Sequence, residues 1–434
     1  MFTVLIPLFS ACKKAVSIPE NGVDTSNGSP NIVFIIADDM GWDAFGKRAG
    51  YNGQKANTPT LDSLAKTGIT YTNFWVNPVC SPTRASLITG KYSFRTGVGG
   101  VDTPPTAVLQ NSEVSLQKYI STQTSNAYAT ALIGKWHLSQ NSNLTAPESF
   151  EVGYFSGFMS GMVNDYYDWT QTSNGKQETI STYSTTHFVN QSVTWIGQQT
   201  KPFFLWLAFN APHTPFHRPP LELITDKTLT NTQANINKNP LPYYLAAIEA
   251  MDKEIARLIA AMPATKRENT VFVFIGDNGT PGQVVQEPYT NHGGKGYLFE
   301  GGVNTPLIVS GKNIIRKNET DNSLVQAPDI FATIAELCDG KTSSYKDGNS
   351  IKGTFTSKTA LKRNYVYTEQ FGNTNNDGYT LRNSGYKYIK LENGKEYFYK
   401  ISADPTESNN LISGTMNAED LINLDELKKV KTGL

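Results

Sequence analysis

The chain has 434 residues, of which 38% are hydrophobic and 18% are charged, and Lys+Arg and Asp+Glu both number 38. This length exceeds the usual size of one domain, and the composition can bury a substantial core, which excludes an intrinsically disordered chain. The charges balance, and no basic stripe or acidic run stands out, so we predict no nucleic-acid partner.

The chain begins with a short apolar run that ends in small residues directly before a cysteine. Residues 2–11 (FTVLIPLFSA) are too few to span a bilayer and are typical of the apolar region of a signal peptide. Phe9-Ser10-Ala11-Cys12 resembles the processing site of a bacterial lipoprotein, in which Cys12 would carry the lipid. Residues 13–29 are rich in Ser, Asn, Gly and Lys and are predicted to form a linker. We therefore predict export in a bacterium, to the periplasm or to the outer membrane, with membrane contact only through a lipid anchor at Cys12.

Short apolar runs then alternate with helical stretches. The runs typical of buried strands are 31–37, 127–133, 202–209, 270–276 and 306–310. Thr58-Pro59 opens a predicted helix that Gly68 closes, and residues 241–261 and 328–338 carry apolar side chains at helical spacing. This alternation predicts an α/β fold with a large, mostly parallel central sheet flanked by helices on both faces.

The pattern changes from about residue 362. Short strands are predicted at 364–370, 378–383, 386–391 and 396–401, joined by turns rich in Asn and Gly. A charged tail at 418–430 is predicted to be helical. We therefore divide the chain into a leader (1–12), a linker (13–29), a main domain (30–361) and a small C-terminal antiparallel subdomain with a helix (362–434).

Polar side chains follow two of the predicted strands directly. Asp38 and Asp39 come after residues 31–37, and Asp277 and Asn278 come after residues 270–276. Because the carboxyl ends of parallel strands border the ligand crevice of such a sheet, these oxygens could converge on Ca²⁺ or Mg²⁺. The alternative is that they form turns or helix caps.

A cysteine, Cys80, lies near the start of the segment 79–90 (VCSPTRASLITG). Pro82 favours the first turn of a helix, which places Cys80 at the positive helix end, and Arg84 lies one turn further on. The pattern indicates an anion pocket with a sulfur atom at its floor. An ordinary buried thiol, or a thiolate paired with a histidine, remains open from these residues alone.

The same segment carries a resemblance to a known family. Cys80-x-Pro82-x-Arg84, followed by Leu-Ile-Thr-Gly, resembles the signature of the formylglycine-dependent (type I) sulfatases, arylsulfatase-like members of the alkaline phosphatase superfamily. Further motifs similar to those of the family follow in order over roughly residues 31–412: Asn31 to Trp42, Gly134-Lys135-Trp136-His137, Ala211-Pro212-His213-Thr214-Pro215, Gly276-Asp277-Asn278-Gly279, Gly294-Lys295 through Glu300-Gly301-Gly302, and Ala403-Asp404-Pro405-Thr406-Glu407.

The resemblance implies a catalytic domain at 30–361, a modified residue and a metal ion. Cys80 would be oxidised to formylglycine by a formylglycine-generating maturation enzyme, and the hydrated aldehyde would be the nucleophile. Ca²⁺, or alternatively Mg²⁺, would be held by Asp38, Asp39, Asp277 and Asn278, and would also contact the hydrated residue at position 80.

The family further implies a role for each remaining site residue. Arg84 and Lys135 would stabilise the hydrate, and Asp277 would take the proton of its attacking hydroxyl. His137 would take the proton of the second hydroxyl, which releases sulfate.

Three residues would act on the substrate. Lys135, already named, would bind the sulfate group together with His213 and Lys295, and either His213 or Lys295 would protonate the leaving oxygen. The predicted activity is hydrolysis of sulfate monoesters, most plausibly on a sulfated carbohydrate.

Other functions remain open from the sequence. The nearest is a phosphonate or phosphate ester hydrolase with the same nucleophile. A two-metal phosphatase-like relative is disfavoured because the later metal loop reads Asp277-Asn278 and the chain contains no Asp-His dipeptide. From another class, the chain could be a non-catalytic glycan-binding surface protein.

Several aromatic residues and histidines stay ambiguous. Tyr166, Tyr167 and Trp169 in the segment 153–169 could stack on sugar rings or form the core of a loop. We predict that Cys338 is an inert core residue and His187 a structural one, and it stays open whether two other histidines line the pocket. These two are His217 and His292.

Overall fold

The computed structural model describes residues 28–45, 51, 53–101, 107–358, 361–372 and 375–434. Within these residues, ten strands form one large sheet. In chain order they are β1 (Asn31–Ala37), β2 (Gly68–Trp75), β3 (Ala129–Lys135), β4 (Tyr154–Phe158), β5 (Trp169–Ser173), β6 (Lys176–Ile180), β7 (Phe203–Ala208), β8 (Thr270–Gly276), β9 (Asn304–Gly311) and β10 (Glu319–Gln326). The predicted leader, Cys12 and most of the predicted linker lie outside the described residues.

The large sheet is mixed but mostly parallel. Its strand order is β10-β2-β9-β8-β1-β7-β3-β4-β5-β6. Five neighbouring pairs are parallel, and four are antiparallel. Strand β9 runs antiparallel to both of its neighbours, so the last strand predicted at 306–310 lies in the sheet but against the direction of β8.

Helices cover both faces of this sheet, as predicted. They are α1 (Trp42–Phe45), α2 (Pro59–Lys66), α3 (Cys80–Thr89), α4 (Ser93–Thr96), α5 (Leu116–Gln123), α6 (Ala146–Ser149), α7 (Ser184–Gln198), α8 (Gln233–Lys238), α9 (Leu241–Ala261), α10 (Ala264–Glu268), α11 (Glu300–Val303), α12 (Ala327–Asp339) and α13 (Ala418–Gly433). Three short 3₁₀ turns lie at Leu221–Leu223, Lys352–Phe355 and Leu411–Ser413.

Strand β1 shows how the two faces are filled. Ile32, Phe34 and Ile36 enter the core cluster that contains α3, α5 and α12. Val33 and Ile35 enter the cluster on the other face, with α2, α7 and α9. Because successive side chains of a strand point to opposite faces, a strand buried on both sides must be apolar throughout, which is why NIVFIIA reads as one continuous run.

A smaller antiparallel sheet follows in the C-terminal part. A two-stranded ribbon, β11 (Ser344–Tyr345) and β12 (Gly348–Asn349), precedes β13 (Val366–Gln370), β14 (Gly378–Arg382), β15 (Lys387–Leu391) and β16 (Glu396–Tyr399). The last four strands form one antiparallel sheet in sequence order, and α13 packs on β14 and β15. A shared apolar cluster with Trp75, Phe299 and Leu324 joins this sheet to the main body. The domain boundary between 361 and 362 stays a prediction.

No helix of the described residues is long and apolar enough to cross a membrane.

Candidate functional site

Two adjacent central strands place the predicted metal ligands side by side. Strands β1 and β8 are parallel, with Ala37 opposite Gly276, so the residues that follow them emerge at the same edge of the sheet. The backbone N–H of Asp39 donates to Oδ1 of Asp277 at 3.1 Å. Nδ2 of Asn278 donates to Oδ1 of Asp39 at 2.7 Å. The residues that the sequence placed at this edge therefore lie next to one another, and their role as metal ligands stays a prediction.

Among the described residues, two oxygen atoms of this cluster have no hydrogen-bond partner. Oδ1 of Asp38 and Oδ1 of Asn278 are buried acceptors that no group of the described residues satisfies. Burying an acceptor of this kind costs folding free energy unless a hydrogen-bond donor or a cation contacts it. Donor atoms of Asp38, Asp39 and His213 also lie within 4.8 Å of one another. The residues therefore fit a hard divalent cation that prefers oxygen ligands.

The two inner carboxyl groups differ in their pKa. Burial would raise the pKa of Asp39, but His213 and Lys295 hold it below its ordinary value. Burial and the neighbouring Asp38 raise the pKa of Asp277. The cluster thus holds more negative charge than a buried site tolerates without cations around it.

Cys80 is the first residue of α3 and lies at the floor of the site. Its side chain is buried, and its Sγ is 3.3 Å from Nδ1 of His137. Burial raises the pKa of the Cys80 thiol. Burial, with Lys135 and Arg84 nearby, lowers the pKa of His137 well below its ordinary value. A thiol that holds its proton beside a neutral imidazole is a poor nucleophile, which disfavours the thiolate–histidine alternative.

Two fully buried cations sit beneath the acidic cluster. Arg84 lies one helical turn after Cys80, and its Nη2 donates to Oδ2 of Asp277 at 2.7 Å. Its Nη1 donates to the carbonyl of Lys135 at 3.2 Å. Nζ of Lys135, at the end of β3, donates to Oδ2 of Asp38 at 2.6 Å. Burial would lower the pKa of Arg84, but Asp277 and Asp38 raise it.

A lysine and a histidine face the same cluster from two loops. Nζ of Lys295 donates to Oδ2 of Asp39 at 2.9 Å and lies 3.0 Å from Nε2 of His213. Nδ1 of His213 lies 2.8 Å from the carbonyl of Thr214, which assigns the ring proton to Nδ1 and leaves Nε2 to accept from Lys295. Burial would lower the pKa of Lys295, but Asp39 keeps it above its ordinary value.

All ten residues predicted for the site are thus brought together at one edge of the sheet. They are Asp38, Asp39, Cys80, Arg84, Lys135, His137, His213, Asp277, Asn278 and Lys295.

The segment between β4 and β5 contacts both histidines of the candidate site, a contact that the sequence did not predict. We call residues 159–168 the β4–β5 segment. The backbone N–H of His137 donates to the carbonyl of Met159 at 3.2 Å. A Cβ atom built on Gly161 would lie 2.8 Å from Cε1 of His137. The hydroxyl of Tyr166 donates to the carbonyl of His213 at 2.7 Å. Sequence offered no signal for Gly161, since a glycine in a loop has many explanations.

The ambiguous aromatic residues are mostly core. Tyr166 and Trp169 are buried, so neither side chain stacks on a sugar. Tyr166 stacks instead on His217, with ring centroids 3.7 Å apart. Tyr167 remains half-exposed, and its hydroxyl donates to the carbonyl of Arg218 at 2.8 Å.

The remaining side chains are structural. Nε2 of His187 lies 2.5 Å from Oε1 of Gln171, and Cys338 is a buried core residue, as predicted for both. Nε2 of His292 donates to the carbonyl of Glu407 at 2.6 Å, which ties this histidine to the C-terminal subdomain.

Comparison with known proteins identifies the family of this arrangement. The family model described as Sulfatase matches residues 30–340. A second model, described as N-sulphoglucosamine sulphohydrolase, C-terminal, matches residues 291–431.

Curated relatives carry sulfatase names. Arylsulfatase J of Mus musculus is 28% identical over 344 residues, which are 74% of this chain and 54% of the mouse protein. An ulvan-active sulfatase of Formosa agariphila is 27% identical over 428 residues, which cover 93% of this chain and 80% of that protein. An arylsulfatase of Clostridium perfringens is 25% identical over 470 residues, covering 92% and 93%. This chain therefore spans about half the length of the mouse relative and most of the bacterial ones.

Solved structures share the fold. The structure of Ps i-CgsB in complex with k-i-k-neocarrahexaose superposes with a TM-score of 0.76 at 24% identity, covering 92% of both chains. The structure of BT4656 in complex with its substrate D-Glucosamine-2-N, 6-O-disulfate has a TM-score of 0.74 at 21% identity, covering 93% of this chain and 96% of the other.

Proposed function

The chain belongs to the sulfatase family, and from this membership we propose that it hydrolyses sulfate monoesters of a carbohydrate with a formylglycine made from Cys80 and a bound Ca²⁺. The observation that carries the proposal is the position of Cys80 Sγ, 3.3 Å from His137. The buried cations Arg84 and Lys135 donate to Asp277 and Asp38 of the neighbouring oxygen cluster, in which two acceptors have no partner among the described residues.

The oxygen cluster is the proposed cation site. Asp38, Asp39, Asp277 and Asn278 would hold Ca²⁺, or Mg²⁺ as the alternative, with the oxidised residue 80 as a further ligand. When bound, the cation would supply positive charge for the sulfate oxygens. Oδ1 of Asp38 and Oδ1 of Asn278 support this assignment because both lack a partner among the described residues.

The chemistry of residue 80 explains why a thiol would be exchanged for an aldehyde. A maturation enzyme would carry out the oxidation, and the hydrated aldehyde offers one hydroxyl for attack and a second whose deprotonation releases sulfate. A serine has no second hydroxyl and would need water to attack the sulfated enzyme. We assign the first proton to Asp277 and the second to His137, whose Nδ1 already faces the side chain of residue 80.

The surrounding cations would act on two groups: Arg84 and Lys135 would stabilise the hydrated residue 80, and Lys135 would also bind the sulfate group. Arg84 and Lys135 are fixed by Asp277 and Asp38, so their charge is in place before substrate arrives. In the reaction the bond between sulfur and the bridging oxygen breaks, and that oxygen needs a proton. His213 and Lys295 share a 3.0 Å contact, and we propose that this pair binds sulfate and delivers the proton.

The proposed substrate class is a sulfated carbohydrate. The Formosa agariphila relative is named for activity on ulvan, and the BT4656 structure holds a disulfated glucosamine. We further propose, from the sequence alone, that the chain is exported in a bacterium to the periplasm or outer membrane, with a lipid at Cys12.

The test combines mass spectrometry with kinetics. The protein is produced together with a formylglycine-generating maturation enzyme, and the peptide containing residue 80 is analysed for replacement of the thiol by an aldehyde. We expect the aldehyde, and release of sulfate from an aryl sulfate over many turnovers. Cys80→Ser and Cys80→Ala should abolish multiple turnover.

Two results would overturn the proposal. Full activity in either variant would refute the nucleophile, and an unmodified thiol in an active enzyme would refute the maturation. Rates are also measured on an aryl phosphonate and a phosphodiester. A rate on either substrate above the rate on the aryl sulfate would favour the alternative, a phosphonate or phosphate ester hydrolase.

A further inference from the structure

A cavity of about 300 Å³ lies at the β4–β6 edge of the large sheet. We call it the edge cavity; it is lined by residues of β4, the β4–β5 segment, β5, β6 and the loop after β3. Its volume is at the lower end of the range for pockets that hold a small ligand, which begins at about 300 Å³. None of the ten residues of the proposed sulfatase site lines it.

The edge cavity shares a wall with the catalytic histidines. Ser160 and Met162 line the cavity and flank Gly161, whose α-carbon packs against the ring of His137. Met162 also meets the loop of the other histidine, since Oγ1 of Thr214 lies 3.9 Å from its sulfur. The edge cavity therefore borders the segment that contacts both histidines of the proposed sulfatase site.

The lining of the edge cavity combines an apolar floor with a polar rim. Phe158 and Trp169 are buried and form part of the floor. The rim carries the side chains of Asn141, Asn164, Asp168 and Gln177. Within the described residues, none of these four side chains is hydrogen-bonded to another protein group. Amides and a carboxylate can satisfy several hydroxyl groups of a sugar at once.

The charge of the edge cavity differs from that of the sulfate site. Asp168 is the single charged residue among its lining residues, which include no lysine or arginine. Lys176 precedes Gln177 in β6 but is not among the residues that line the edge cavity. An anionic sugar placed here would face a carboxylate with no lining cation to offset it.

These observations indicate which kind of sugar could occupy the edge cavity, and the inference rests on the proposed function. We propose that the edge cavity binds a neutral sugar unit adjoining the unit that carries the scissile sulfate. It follows that the enzyme prefers glycans with an uncharged neighbour over those with a uronate or a second sulfated sugar next to the reacting unit.

The experiment compares three substrates with one sulfated hexose in common. They are the sulfated hexose alone, the same hexose linked to a neutral hexose, and the same hexose linked to a hexuronate. We expect kcat/KM of the wild-type enzyme to be highest with the neutral disaccharide. Asn164→Ala or Gln177→Ala should lower the ratio of kcat/KM for the neutral disaccharide over the monosaccharide by about fivefold to tenfold, the effect of one lost hydrogen bond of ordinary strength.

A charge reversal gives a test that misfolding cannot imitate. Asp168→Lys should raise kcat/KM for the hexuronate disaccharide relative to the neutral one by about tenfold. The matched control is Asp165→Asn, because Asp165 lies in the same segment but does not line the edge cavity. The control should leave both ratios unchanged.

The outcomes separate the two proposals. Sulfate release from the monosaccharide and both disaccharides at equal kcat/KM, or unchanged ratios in all three cavity variants, would overturn the edge-cavity proposal and leave the sulfatase proposal standing. No sulfate release from these substrates or from an aryl sulfate, in protein whose residue 80 is an aldehyde, would overturn both.

Discussion

Gly161→Ala tests whether the β4–β5 segment positions His137. Gly161 is not in the left-handed backbone region, so alanine adds no backbone strain there. The new methyl group would, however, lie 2.8 Å from Cε1 and 2.9 Å from Nε2 of His137. Carbon atoms in contact lie about 3.5 Å apart, so the ring would have to retreat by about 0.7 Å.

The size of this shift sets the expected effect. Nδ1 of His137 is 3.3 Å from Sγ of Cys80, so a displaced ring no longer meets the side chain of residue 80 at the same distance. A misplacement of about 1 Å can cost about 100-fold in rate, and we expect kcat/KM to fall by about 10- to 100-fold. The fold should survive, because overpacking costs about 1–3 kcal/mol.

The assay is aryl sulfate hydrolysis on protein with a measured aldehyde content at residue 80, together with Tm. The control is Gly197→Ala in α7, where an added Cβ meets no atom within 4 Å. Alanine in a helix should raise stability there by up to about 1 kcal/mol and leave kcat/KM unchanged. Wild-type kcat/KM in Gly161→Ala, at equal aldehyde content, would refute the positioning of His137 by Gly161.

Two further predictions concern charge. Burial beside Glu300 raises the pKa of Glu407 from 4.5 to about 7, so the folded state holds a proton that the unfolded chain releases earlier, and this contribution to stability falls as pH rises from 4.5 to 7. The Tm of Glu407→Gln should therefore rise relative to that of wild type as pH increases across that range, and a Tm difference independent of pH would contradict this. Asp277→Asn should lower bound Ca²⁺ and activity together while Arg84 keeps a hydrogen-bond acceptor. The Ca²⁺ content of the variant is measured by metal analysis after dialysis, with Asp226→Asn as the control. A Ca²⁺ content equal to that of wild type would contradict the proposed ligand set.

The sequence predicted best the elements that are buried on both faces or strongly periodic. Strands 31–37 and 270–276 and helix 241–261 have the predicted bounds. Strand β3 runs two residues later than predicted, because Ala127 still belongs to a turn and Gly134 goes on pairing with Ala208 of β7.

The missed strands lie near the ends of the sheet. Strands β2, β5, β6 and β10 carry many polar residues, and β6 is almost wholly exposed, so none of them forms a continuous apolar run. Short β4 was hidden in a segment interpreted as a loop. The antiparallel direction of β9 could not be predicted, because a buried strand has the same composition in either direction.

The ten residues of the candidate site could be named from the sequence because they fall in motifs, and the structure places them together; their roles stay predictions. The contacts among them were not predictable. The salt bridge of Arg84 with Asp277 joins residues 193 positions apart, and the contact of Lys295 with His213 spans 82. The edge cavity was missed because its lining comes from several short elements whose side chains are individually ordinary.

The strand order has a consequence for protein engineering. Strands β8, β1, β7 and β3, at the centre of the sheet, lead into the groups proposed to perform hydrolysis, whereas the β5–β6 hairpin lies at one margin and contributes only part of the edge-cavity lining. A hairpin transplanted from a relative would exchange cross-strand contacts with β4 alone among the described strands. The hairpin's share of the edge cavity could thus be replaced in an engineered variant while the central strands stay unchanged.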